Sequence, residues 1–295
     1  MELYLSILTQ IFITLVSVVG VFVLTGMTGM FSLGQAAFMA IGAYTSGLLV
    51  IKLNLAFPIA CVIAVSVAVL VGYVVGLPTV RLRRDYISLV TLGFGEAITA
   101  LLNRATPITG GASGLTGIPK KTTLLLAFLS TVVVVMIVAW FKTSKYGRQC
   151  IAARSDELAA KAMGINVART KMFAFLLSVS VTAYSGCLYA FYTTYVDPTI
   201  FGWKKSADWV IMVFFGGVNS LTGSILSTFV LSGLPEVLRS LLNYRSIIYA
   251  VLVLLVINFK PSGLLGEWEL SPRGIRQLKN KLTQRKPSAG KGGSK

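Results

Sequence analysis

Apolar residues run along this chain in long blocks rather than with the short alternation of exposed strands. The blocks lie at 5–25, 35–51, 55–79, 86–103, 122–141, 171–193, 208–240 and 246–260, with polar stretches between them. A helix needs about 20 apolar residues to cross a hydrocarbon core of about 30 Å. Most of the blocks approach or exceed that length, so the pattern predicts an all-α, polytopic membrane protein. The block 208–240 is too long for one simple crossing and is interrupted at Gly216-Gly217-Val218-Asn219-Ser220-Leu221-Thr222-Gly223. It reads as two helices or half-helices that enter and return, because glycine-rich backbone at membrane depth is tolerated only where it is buried in protein or lines a cavity. The expectation is eight or nine membrane segments, including this broken or re-entrant pair.

Composition supports that class and removes others. Of 295 residues, 55% are apolar and 13% charged, and mean hydropathy is +0.78. Soluble domains carry about 25% charged residues. A soluble enzyme, a disordered chain and a disulfide-rich secreted domain are therefore excluded. The formal net charge of +17 is concentrated in three polar stretches. Positions 142–171 hold seven Lys/Arg against two acids, 260–295 hold nine against two, and Arg81, Arg83, Arg84 and Asp85 form the third. Nucleic-acid binding would use such a balance too, but the excess of basic residues in cytoplasmic loops explains it more economically. No nucleic-acid partner is expected. With these stretches inside, the N-terminus lies outside, where Glu2 is the only charge, and the C-terminus is cytoplasmic. The N-terminus lacks the basic region and cleavage site of a signal peptide, so the first block should remain as a membrane helix. The organisation reads as a membrane domain at 1–266, with a cytoplasmic segment at 142–171, and a basic, disordered tail at 267–295 that touches anionic lipid or only solubilises the chain.

Candidate chemistry is sparse. The chain has no histidine, and Cys61, Cys150 and Cys187 are scattered, so neither a metal site nor a bound cofactor is expected. No G-x-x-x-x-G-K-[ST] loop occurs, so ATP must be hydrolysed by another chain. In the 142–171 segment, Ser155 reads as an N-cap, with Asp156 and Glu157 in the first turn and Gly164 past the end. Leu158, Ala159, Ala162 and Met163 then share about 140° of arc, with Glu157 and Lys161 on the other side. Such a face suits a groove on another protein, or it packs on its own bundle or in the headgroup region. Glu96 is the carboxylate that lies inside an apolar block, where a charge costs about 2.5–3.5 kcal/mol at the bilayer centre. It is either a cavity group beside a substrate path or a structural carboxylate. Thr91, Gly93 and Gly95 either open their helix or allow close packing. Trp203, Lys204, Lys205 and Trp209 read as an interface anchor. Gly110–Gly117 repeats the G-G-x-x-x-L-T-G pattern of Gly216–Gly223.

The run from Gly147 to Asn166, G-R-x-x-x-A-A-R-x-x-E-x-A-A-x-A-M-G-I-N, resembles the coupling segment of ABC importer permeases. The match is to the branched-chain amino acid permease family, in its second, more divergent type of membrane subunit. Thr91-Leu92-Gly93-Phe94-Gly95-Glu96, Thr109–Pro119, the Gly216–Gly223 break and Phe259–Gly266 agree with it. One departure is visible: Glu96 is followed by Ala97, Ile98 and Thr99, where the family often has an arginine. The resemblance implies that Gly147, Arg148, Ala153, Arg154, Asp156, Glu157, Leu158, Ala159, Ala162, Met163 and Gly164 contact cytoplasmic ATPase subunits. It implies a substrate path near Thr91, Gly93, Gly95, Glu96, Gly216 and Gly217. It also implies an outer loop at Gly110, Gly111, Gly114 and Gly117 that meets an extracytoplasmic substrate-binding protein. The partner across the path would be a second related permease, in a heterodimer or a homodimer, in a bacterial or archaeal cell membrane. The implied cargo is branched-chain or other hydrophobic amino acids, with urea or a short amide as the alternative. An ion-gradient-driven secondary transporter, a membrane scaffold and a membrane-embedded enzyme are the rival classes.

Overall fold

The computed structural model describes residues 2–82, 84–237, 245–260 and 263–266; Arg83 and the tail at 267–295 lie outside the described residues. Helix α1 (Glu2–Phe22) continues into a π-helical turn (Val23–Thr28) that ends at Gly29 with φ 69°. An extended stretch leads to α2 (Gln35–Leu53), which stops where Asn54 turns left-handed. Next come α3 (Phe57–Thr79), entered through Pro58, and α4 (Arg84–Arg104). A short α5 (Thr106–Thr109) and a two-residue strand β1 (Leu115–Thr116) precede α6 (Leu124–Thr143). The polar segment forms α7 (Lys145–Ser155) and α8 (Glu157–Ala162), and α9 (Val167–Thr193) returns through the bundle. Strand β2 (Tyr195–Val196) pairs antiparallel with β1, setting Leu115 opposite Val196. Finally α10 (Trp203–Gly216), α11 (Leu221–Val237) and α12 (Arg245–Phe259) follow.

Among the described residues six helices are long and apolar enough to cross a membrane, or up to seven if the bent pair α10–α11 counts as one span. That pair turns by 120° at its break, as the interrupted block predicts. The expected eight or nine segments are not confirmed. The described part of helix α12 is Arg245–Phe259, 15 residues.

Helices α1, α2 and α9 form the centre. They meet through small residues: a Cβ on Gly42 would lie 2.1 Å from the Ala183 carbonyl oxygen, and one on Gly186 would lie 2.0 Å from that of Met39. At these crossings side-chain bulk is absent, so the backbones touch and hydroxyls bridge them. Ser178 donates to the Gly20 carbonyl at 2.7 Å, and the hydroxyls of Ser17 and Ser185 are 2.6 Å apart. Without a hydrophobic force between helices in lipid, such close packing and hydrogen bonding select the central helices. Burial accordingly does not follow hydropathy. The central α9 has mean hydropathy 1.5 and is 67% buried along its apolar window, whereas α6, at 2.7, is 22% buried.

Candidate functional site

The segment between α6 and α9 is built as a rigid bracket. Ser144 caps α7 by accepting the Gly147 N–H at 3.2 Å. Gly147 lets the chain fold back on the end of α6, since a Cβ there would sit 2.2 Å from the Phe141 carbonyl oxygen. The expected N-cap, Ser155, is instead the last residue of α7, its hydroxyl donating back to the Ile151 carbonyl. Asp156 takes the cap: its carboxylate accepts the N–H groups of Leu158 at 2.8 Å and Ala159 at 3.1 Å. One carboxylate oxygen on an extended residue, accepting two N–H groups, lets the chain break there and start a second, shorter helix. That helix ends at Gly164 (φ 78°), where Ile165 N–H returns to Ala160 and Gly164 N–H to Lys161, the paired bonds of a glycine-terminated helix.

Helix α8 has two unlike sides. Ala160 is buried with Ala153, Val167 and Ile165. Leu158, Ala159, Ala162 and Met163 are all exposed, Leu158 at 78% and Met163 at 82%. The bracket behind them is tied down at several points. Glu157 pairs with the buried Lys171 of α9. Arg154 donates to the carbonyl of Gly26 in the π turn. Lys142 donates to the Asn219 carbonyl at 2.7 Å and lies over the Phe22 ring. Cys150 is packed inside, its thiol toward the Thr170 carbonyl, and burial pushes that thiol up to about 12.

The ties from Arg154 and Lys142 converge on the α10–α11 break. A Cβ on Gly26 would lie 2.8 Å from the Val218 carbonyl oxygen, and Gly216 and Gly223 are in backbone contact. The chain returning from α12 seals the same spot, with Leu264 N–H on Phe215 and Leu265 N–H on Gly216. Gly216 and Gly217 therefore belong to this knot, joined to the α7–α8 bracket through Gly26 and Lys142.

Thr91, Gly93, Gly95 and Glu96 lie elsewhere, on α4. That helix is unbroken through them, so the reading of an opened helix is corrected. The opened backbone is the neighbouring stretch at 29–34. Thr91 holds it, accepting the Leu33 N–H at 3.2 Å while donating to Ile87, and a Cβ on Gly95 would lie 3.5 Å from the Gly34 Cα. Gly93 and Glu96 point the other way, onto an exposed face shared with Ala97, Ala100 and Leu101. A hollow of about 470 Å³ opens there beside Ala100 and Arg104. Helix α10 packs near α4 and exposes a second carboxylate, Asp208. Sequence reading missed both Asp208, at the edge of its block, and the 29–34 stretch, whose signal was Gly29 and Gly34 around Ser32.

At the opposite end of the bundle, Gly110, Gly111, Gly114 and Gly117 all have positive φ. A Cβ on Gly114 would meet the Val196 carbonyl at 2.6 Å, so this loop is built into the β1–β2 clasp, while Gly117 faces open space. Its similarity to Gly216–Gly223 is one of letters, since in the latter stretch only Gly217 has positive φ. The expected anchor divides: Trp203 and Lys204 are exposed, Lys205 lies over the Tyr189 ring, and Trp209 is in the core.

Residues 3–257 match the family model described as "Branched-chain amino acid transport system / permease component". The high-affinity branched-chain amino acid transport system permease protein LivM of Escherichia coli K12 is 32% identical over 88% of this chain and 68% of its own. A probable branched-chain amino acid transport permease protein LivM of Methanocaldococcus jannaschii is 25% identical over 70% of this chain and 68% of its own. The chain labelled "PsaBC from Streptococcus pneumoniae in complex with Fab" aligns over 95% of both chains at a TM-score of 0.48 and 19% identity, too loose a likeness to define the fold.

Proposed function

The chain belongs to the branched-chain amino acid transport permease family, and on that premise we propose that it is one membrane subunit of an ATP-driven importer for branched-chain or other hydrophobic amino acids. It has no phosphate loop, so ATP is hydrolysed on separate cytoplasmic ATPase subunits. A second related permease completes the path, and an extracytoplasmic binding protein delivers the cargo at the β1–β2 end, which lies outside together with the N-terminus.

The observation that carries this reading is the bare apolar face of α8 on a bracket fixed from behind. Leu158 in this helix and Met163 at its C-cap expose two large apolar side chains outside the bundle, and we read them as a contact with another protein. Helix α8 is the part of the chain that seats in the ATPase. Displacement of α8 passes through Glu157–Lys171 into α9, and through Arg154 and the π turn into the α10–α11 break. Helices that pack against one another in discrete arrangements convert such a push into alternate openings of a path.

The path runs along α4 and α10. A carboxylate facing lipid costs about 2.5–3.5 kcal/mol; Glu96 is exposed on α4, and Asp208 is exposed on the neighbouring α10. The side formed by these two helices therefore looks onto the second permease and the water-filled route between the two subunits.

Reconstitution of the whole assembly into proteoliposomes tests the reading. The double variant Leu158→Asp, Met163→Asp is expected to insert normally and to lose at least 90% of ATP-driven uptake, about 1.4 kcal/mol or more of coupling. Uptake at the unaltered rate would overturn the role of α8. Uptake that survives without ATP and collapses with the proton gradient would replace the importer by a secondary transporter.

A further inference from the structure

A groove of about 970 Å³ runs between α3 and α6 with α9 as its floor. Its lining runs along α6 from Thr123 to Ile137, with Phe57 and Pro58 among its α3 residues. We propose that it is a binding site for one bilayer phospholipid with an anionic headgroup, its acyl chain in the groove and its phosphate at Lys120 and Lys121.

The lining argues for hydrocarbon. Every hydroxyl of a serine or tyrosine in the groove is already occupied within the protein. Ser66 donates to the Val62 carbonyl at 2.8 Å, Ser180 to that of Leu176 at 2.7 Å, and the hydroxyls of Ser130 and Tyr184 bond each other at 2.8 Å. A polar solute would have to compete with these bonds and would give up its water, whereas hydrocarbon suits so apolar a lining. Between Thr123 and Ile137 it follows α6 for about 21 Å, longer than half of a core of about 30 Å. One leaflet's acyl chain fits within that length.

The charge sits at one end only. Phe57 lines the mouth and packs edge-on against Phe191 at 4.8 Å. The carbonyl of that same Phe191 accepts the N–H groups of Lys121 at 3.0 Å and Thr122 at 3.2 Å. The backbone of Lys121 is thus held next to the Phe57 end of the groove, with Lys120 just before it. Both lysines are exposed; Lys120 rests over the Tyr192 ring, and among the described residues neither ammonium has a carboxylate partner. Moving an acyl chain from lipid into an apolar groove gains nothing from water. Selection must therefore come from the headgroup, at about fivefold per lysine near an anionic surface.

The test uses the full transporter in nanodiscs of phosphatidylcholine doped with either phosphatidylglycerol or phosphatidylcholine carrying a photoactivatable diazirine in the acyl chain. Phosphatidylglycerol is expected to label α3 and α6 residues of the groove about twentyfold more than the phosphatidylcholine probe. Lys120→Gln with Lys121→Gln should bring the two probes level. Val133→Trp, at an exposed position of the lining, should remove groove labelling by both probes while leaving thermal stability unchanged. Equal labelling of the unaltered protein by the two probes would overturn the proposal, because the groove would then hold only solvent lipid. Crosslinks from this groove to a second permease subunit would overturn it in favour of a protein occupant.

Discussion

Helices α4 and α6 are equally bare, each 22% buried along its apolar window, yet they present opposite chemistries. The exposed side of α6 is Leu125, Phe128, Leu129, Val133, Met136 and Ile137, without a charge until Lys142. The exposed side of α4 carries Gly93, Glu96 and Arg104 besides Tyr86, Leu89 and Leu101, and its hydropathy of 1.3 is the lowest of the six long helices. Bare surface in a membrane protein is therefore of two kinds. One is finished, with lipid as its solvent. The other is unfinished, and a charge that lipid will not accept marks it as awaiting a protein or water.

The largest effect should come from making the finished face resemble the unfinished one. Met136→Lys places an ammonium on the lipid side of α6. On insertion scales the cost of about 2.5–3.5 kcal/mol is about a hundredfold in partition, so at least a tenfold loss of membrane-integrated protein is expected in fractionation. Integration at the unaltered level would mean that α6 also faces protein or water. The converse change, Glu96→Leu, should leave integration intact and lower uptake about tenfold, or 1.4 kcal/mol, in vesicles of the complete assembly. An unaltered rate would make Glu96 structural and leave Asp208 of the neighbouring α10 as the next carboxylate to test.

The smallest effect concerns the packed side of the α7–α8 bracket, against which the open side of α8 is defined. With its thiol pushed up to about 12, Cys150 should resist maleimide at pH 7–8 until the protein is unfolded. The sign of the accompanying pH effect follows from linkage. An unfolded cysteine loses its proton near pH 8.5 while the folded one keeps it, so this group's contribution to stability falls as pH rises from about 8.5 towards about 12. Ready labelling of the folded protein at pH 7.5 would show that the bracket opens in solution.

Much of this molecule is legible from its letters. The apolar blocks up to residue 193 each became a helix of nearly the expected extent, because span length is a local property set by composition against bilayer thickness. The Gly216–Gly223 interruption became a bend for the same local reason. The bare Leu158–Met163 face was readable from helical spacing, although its cap moved by one residue to Asp156, a choice between two good caps that depended on where α7 ended. Which helices form the centre was not legible. In water the most apolar helix is the most buried, but in lipid that signal is saturated, and backbone contacts such as Gly42 with Ala183 decide instead. These are pairings between residues far apart in the chain. The same is true of the extended stretch at 29–34 held by Thr91, of the tie from Arg154 to Gly26, and of the Lys121 backbone held next to the groove through Phe191. Composition and spacing determined the class, the spans and the exposed apolar face of α8, because each is written within a few helical turns; the centre, the ties and the groove needed the tertiary structure, because they exist only where distant backbones meet.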